Sequence, residues 1–76
     1  MKHYEAKQFV RFSDWLRVNM TSQRLTQKEV ATYTGLSQPF ISQLVNNKYT
    51  PGTLETVRRF ANAFEEDLDN VWDLCW

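Results

Sequence analysis

The chain contains a single cysteine, Cys75, so no internal disulfide can form and nothing calls for an oxidising compartment; a cytoplasmic location is expected. There is one histidine, His3, with no second His or Cys near it, which removes the usual spacing of a metal site. No histidine is placed to activate a nucleophile. Two glycines are too few for a glycine-rich phosphate loop, so neither an enzyme nor a cofactor is expected. No apolar run approaches the roughly 20 residues of a membrane-spanning helix, and no short apolar leader follows the basic start. Two prolines and two glycines also leave no low-complexity linker.

What remains is ordinary globular material: 76 residues with 42% hydrophobic content, enough for one compact domain whose core is small unless a partner adds surface. The net charge of zero hides a division. All nine Lys and Arg precede Glu65, against only four carboxylates, Glu5, Asp14, Glu29 and Glu55. The last twelve residues carry five carboxylates, Glu65, Glu66, Asp67, Asp69 and Asp73, and no cation. A basic body with an acidic end can offer a positive face to phosphates despite overall neutrality; a mixed solvated surface is the alternative.

Helical spacing runs through the whole chain, and no strand pattern appears. Phe9, Phe12, Leu16 and Met20 recur at steps of three and four and predict a first helix from Phe9 to Met20. Tyr4 to Gln8 extend it as further turns or leave residues 1 to 8 as an arm carrying Lys2, His3 and Lys7, and fraying at the terminus favours the arm. Thr21 to Arg24 break the pattern. Thr26 then stands three residues before Glu29, a capping box that starts a second helix, and Gly35 ends it by taking a positive φ without a Cβ penalty. Pro39 suits the first turn of a third helix, capped by Ser37 or Gln38. Asn47 to Gly52 form a loop. Thr53 caps a fourth helix with the stripe Leu54, Val57, Phe60, Ala61 and Phe64, and Asp67 caps a short fifth carrying Leu68, Val71, Trp72 and Cys75. The expectation is an all-α bundle of about five helices forming one domain over residues 1 to 76.

The third helix carries the functional signal. At about 100° per residue, Phe40, Ile41 and Leu44 face one way, and Gln38, Pro39, Ser42, Gln43 and Asn46 occupy the opposite arc. That arc holds no charged residue, whereas a face that is merely solvated usually carries Lys and Glu. Glutamine and asparagine can bond bidentately to adenine, and serine can address donors or acceptors, so the arc suits the DNA major groove. A neutral polar surface without a partner is the competing reading. Phe40 could touch a thymine methyl group, but its place beside Ile41 and Leu44 favours packing against the core.

Around this helix the order Gln27, Ala31, Gly35, Leu36, Ile41, Leu44 has a packing reason at each step. Ala31 permits a close helix crossing, Gly35 makes the turn, and the three aliphatic residues lock the helices together. With Leu25-Thr26-Gln27, Gly35-Leu36-Ser37, Ile41-Ser42 and Phe60-Ala61-Asn62-Ala63-Phe64, this pattern resembles the helix-turn-helix of the Cro-like phage repressors and the xenobiotic-response-element regulators, over roughly residues 12 to 72. The resemblance implies that Gln27 contacts a phosphate and braces the recognition helix. It implies that Gln38, Ser42 and Gln43 approach base edges, and that Asn46, Lys48 and Tyr49 hold the backbone, with Ser37, Pro39 and Asn47 completing the DNA-facing set. Thr34 stands where the family usually buries an apolar residue, Asn47 replaces a glycine, and Gly52 adds a loop residue.

The resulting expectation is a sequence-specific DNA-binding transcriptional regulator, a repressor of phage or mobile-element type that acts as a homodimer on double-stranded DNA. Trp72, Leu74 and Trp76, three large apolar residues in the last five, are the expected dimer contact, with a tail folded back on Trp15 as the alternative; the helical spacing of Trp72 favours the core. An interaction module of the same fold, such as an antitoxin or an inhibitor that binds another regulator through this aromatic end, is the alternative.

Overall fold

A computed structural model of the chain describes residues 4 to 75. A 3-10 turn over Ala6–Gln8 precedes five α-helices: α1 Phe12–Ser22, α2 Gln27–Thr34, α3 Gln38–Val45, α4 Leu54–Ala63 and α5 Leu68–Asp73. There is no strand among the described residues. The architecture is the expected all-α bundle.

Each of α2 to α5 begins with a short polar side chain that takes up a backbone donor otherwise left unpaired in the first turn. At α2 the box is reciprocal: the Glu29 N–H donates to Thr26 Oγ1 at 3.1 Å, and the Thr26 N–H donates to Glu29 Oε1 at 3.0 Å. Ser37 accepts from the Phe40 N–H, Thr53 from Thr56 and Asp67 from Asp69. Ser37 is thus the cap of α3, with Pro39 in its first turn. A uniform device closes the other ends. After α1 to α4, Arg24, Gly35, Asn47 and Glu65 take φ of 57°, 75°, 59° and 53°. In each case the next N–H reaches five residues back: Leu25 to Met20 O, Leu36 to Ala31 O, Lys48 to Gln43 O and Glu66 to Ala61 O. This is Schellman closure.

Phe12, Trp15, Leu16, Val30, Ile41, Leu44, Val57, Phe60, Phe64 and Val71 are buried in one core. Phe12 meets Phe60 edge-on with ring centroids 5.0 Å apart, and Trp15 meets Phe64 at 5.2 Å, which ties α1 to α4. Thr34, in a position expected to be apolar, is buried without an unmet hydroxyl, because its Oγ1 donates to Val30 O at 2.8 Å.

Two expectations for the start of the chain change. The first helix begins at Phe12 instead of Phe9 and continues through Thr21 and Ser22. Phe9 and Arg11 are extended, and Phe9 reaches the core from that extended segment, so its three-residue step to Phe12 reflects shared burial and not a shared helix. The arm expected over residues 1 to 8 is packed against the bundle over residues 4 to 8. Buried Asn19 accepts from the Tyr4 N–H at 2.9 Å and donates to Tyr4 O at 3.0 Å, as a neighbouring strand would. The Ala6 N–H donates to Glu66 Oε2 at 2.9 Å, and Ala6 is fully buried. Residues 1 to 3 of that arm lie outside the described residues.

Candidate nucleic-acid interface

Helix α3 rests on the core through Ile41 and Leu44, both 0% exposed, with Phe40 half-buried beside them. Helical rotation then turns the remaining side chains outward. Gln38, Pro39 and Asn46 are exposed, and Ser42 and Gln43 half-exposed. No carboxylate or cation lies between Leu36 and Asn47, so hydrogen-bond donors and acceptors set the character of this face.

Gln27, at the first position of α2, joins it. With Gln38, Pro39 and Ser42 it lines a shallow depression of about 300 Å³ where α2 meets the start of α3. The exposed Lys28 sits beside it in sequence. At the other end of α3, Asn46, Asn47, Lys48 and Tyr49 are all exposed. Lys48 has no carboxylate partner among the described residues.

Of the ten residues singled out in the sequence, Gln27, Gln38, Pro39 and Ser42 line one depression, and the ten are not equally free. The Ser37 oxygen is already committed to the cap, although its hydroxyl can still donate outward. Asn46 folds back on its own helix, its Nδ2 donating to Ser42 O at 2.9 Å. Asn47 supplies the left-handed residue that ends α3, a structural task independent of any ligand. Gln38, Gln43 and Lys48 keep side-chain capacity for a partner, and Ser42, whose Oγ accepts from Asn46 Nδ2 at 3.4 Å, keeps its hydroxyl proton to donate.

Two arginines that the sequence reading did not single out meet the ends of α2 and α3. Arg59 of α4 donates from Nη1 to Thr34 O at 2.9 Å, and its Nε lies 3.4 Å from Glu55 Oε1. Arg17 of α1 donates from Nη2 to Val45 O at 2.9 Å. The Glu55 to Arg59 spacing of four hinted at one ion pair, but nothing local signals contacts between residues 25 and 28 positions apart.

The helix-turn-helix family profile matches residues 16–71. The chain belongs to the Cro-like helix-turn-helix family. The matched span includes α2, the Gly35 turn and α3, the helix-turn-helix unit itself. The family's activity makes this protein a DNA-binding transcription regulator. Comparison with curated proteins and with solved structures returns no match.

Away from the helix-turn-helix, the C-terminal cluster differs from expectation. Leu74, expected with Trp72 and Trp76 at a dimer contact, is 6% exposed and belongs to the chain's own core. The cause is that Leu74 keeps helical backbone angles (φ −77°, ψ −11°) three residues after Val71, which puts both on the inward face. Trp72 is half-buried against the same core, and Trp76 lies outside the described residues. Burial pushes the Cys75 thiol up to about 11, so it stays protonated at neutral pH and is poorly suited as a nucleophile or metal ligand. Among the described residues no helix is long and apolar enough to cross a membrane.

Proposed function

We propose that the protein is a sequence-specific repressor of phage or mobile-element type that lays α3 in the major groove of operator DNA and acts as a homodimer. The observation that carries this reading is the uncharged outer face of α3, where Gln38, Ser42 and Gln43 retain side-chain capacity above a fully buried Ile41 and Leu44. Amide and hydroxyl groups on a rigid helix address base edges, whereas exposed cations at its rim address any phosphate. Gln27 and Lys48 hold phosphates at the two ends of α3, with Tyr49 beside Lys48; Ser37 and Pro39 shape the approach. Asn46 and Asn47 act mainly by fixing where Lys48 begins.

A single module covers little DNA, and a symmetric pair reads two half-sites about one turn, roughly 34 Å, apart. With Leu74 committed to the core, the C-terminal contribution to pairing falls to Trp72 and Trp76. Repression follows from occluding polymerase at the occupied site.

Selection from random duplex DNA, with the mass of the resulting complex measured, tests the reading. The expected result is an inverted pair of half-sites bound by two chains, with affinity that falls steeply as salt rises. Lys48→Ala should weaken binding to all sequences alike and lower the salt slope by about one unit. A tight protein partner in the absence of DNA binding would overturn the proposal in favour of an interaction module of the same fold.

A further inference from the structure

The last residues of α2 and α3 are Thr34 and Val45, and the carbonyl of each receives a guanidinium hydrogen bond of 2.9 Å from a helix outside the helix-turn-helix. We infer that Arg59 and Arg17 are positioning residues, which fix the attitude of α3 toward DNA by clamping these two helix ends, and that neither is spent on a phosphate. The inference rests on the DNA-reading role proposed for α3.

The bond accounting at the end of α3 shows why Arg17 matters. Of its last four carbonyls, Ser42 O accepts from the Asn46 N–H, Gln43 O from Lys48 and Leu44 O from Asn47. Val45 O alone has no backbone donor in this closure, and Arg17 fills it. A cation there also opposes the negative end of the helix dipole. The contact joins α3 to α1, a second tether beside the packing of Ile41 and Leu44.

Arg59 does the equivalent at the turn. Its guanidinium lies so close to Gly35 that a Cβ on that residue would stand 2.7 Å from Nη1. Gly35 therefore serves two ends, the left-handed turn and the approach of Arg59 to Thr34 O. Glu55 holds the guanidinium from the side of α4. Together the arginines fasten the α2–α3 unit to the scaffold at each of its two helix ends, and a change in the tilt of α3 must break one of them.

A positioning cation and a phosphate contact respond differently to salt. Removing a phosphate contact lowers the salt slope by about one unit, because one fewer counterion group is displaced. Removing a brace lowers the preference for the selected site and leaves the slope unchanged. Arg17→Met and Arg59→Met keep the aliphatic stems, and Arg17→Lys tests recovery. In the free protein, Arg17→Met should speed amide exchange at Asn46, Asn47 and Lys48 about fivefold, and Arg59→Met should do so at Gly35 and Leu36. On DNA each should lower the ratio of selected-site to mixed-sequence affinity about fivefold at constant slope, with Arg17→Lys recovering part of both effects. A slope reduced by one unit, or amide exchange unchanged from wild type, overturns the inference. A wild-type protein that shows no salt-dependent DNA binding would overturn the proposed function instead, and the exchange rates of the free protein would still decide whether the two arginines clamp these helix ends.

Discussion

Helix α3 and helix α5 are built alike and surfaced differently. Both are short, both start on a capping side chain, Ser37 or Asp67, and both press aliphatic residues into the same core, Ile41 and Leu44 against Val71 with Leu74 just beyond. Outward, α3 shows amides and hydroxyls with no charge, while α5 and the turn before it carry Glu65, Glu66, Asp67, Asp69 and Asp73. Burial makes the inner faces interchangeable in kind, so it says nothing about function. The information lies in what each helix leaves in water.

The most severe way to break the comparison is to remove what lies beneath α3. Leu44→Ala should cost about 2 to 5 kcal/mol in chemical denaturation, since Leu44 is 0% exposed and its loss leaves a cavity under the helix. Its neighbour Gln43 should behave in the opposite way. Gln43→Ala should leave the denaturation midpoint almost unmoved, yet cost about 1 to 3 kcal/mol on the preferred DNA site and relax one base position per half-site. Logos selected from wild type and mutant at one salt concentration measure this, and identical logos would take Gln43 out of base reading. Adjacent residues with exchanged effects would show that stability and recognition are separated across a single helix.

A smaller contrast is available where the two regions begin. Gly35 and Glu65 occupy the same left-handed position after α2 and α4, with φ of 75° and 53°. Gly35→Ala should destabilise by about 1 to 2 kcal/mol, through the backbone penalty and the displacement of Arg59 from Thr34 O. Glu65→Gly removes a similar penalty and takes a carboxylate off the negative end of α4, so it should stabilise by about 0.5 to 1 kcal/mol. Thermal denaturation of the pair checks both signs. Equal signs would mean that the left-handed geometry is not what governs these ends.

These two positions also show why only part of the fold was legible. Thr26 with Glu29, and Thr53 and Asp67 at their helix starts, announced themselves because a cap is satisfied within three residues of sequence. Gly35 and Asn47 did so as residues that favour positive φ. Arg24 and Glu65 adopt the same conformation with side chains that give no hint of it, because neither residue type favours positive φ. Phe9 kept the expected burial but not the helix, since a 3-10 turn and an extended segment can deliver a side chain to the same place. The outer arc of α3 could be drawn from rotation alone. Its supports could not, because Arg17 to Val45, Arg59 to Thr34 and Glu66 to Ala6 join residues 28, 25 and 60 positions apart.

The smallest expected effect tests whether the acidic end matters to DNA at all. The described part of the chain measures 27 × 25 × 20 Å, while charges separated by more than about 8 Å are largely screened at physiological salt. If α5 lies on the side away from DNA, its carboxylates act only through that screened distance. Asp73 is suited to the test because it is exposed and, unlike Glu66, holds no backbone N–H of the N-terminal segment. Asp73→Lys reverses a charge at the end of α5 and places a cation at the negative end of the helix, so the fold should be unaffected or slightly steadier. Affinity for the selected site should rise less than about twofold at 0.15 M salt and more at low salt, as the screening length grows. A tenfold rise at 0.15 M would place α5 within one screening length of the phosphates, and the division between a reading side and an acidic side would then have to be redrawn.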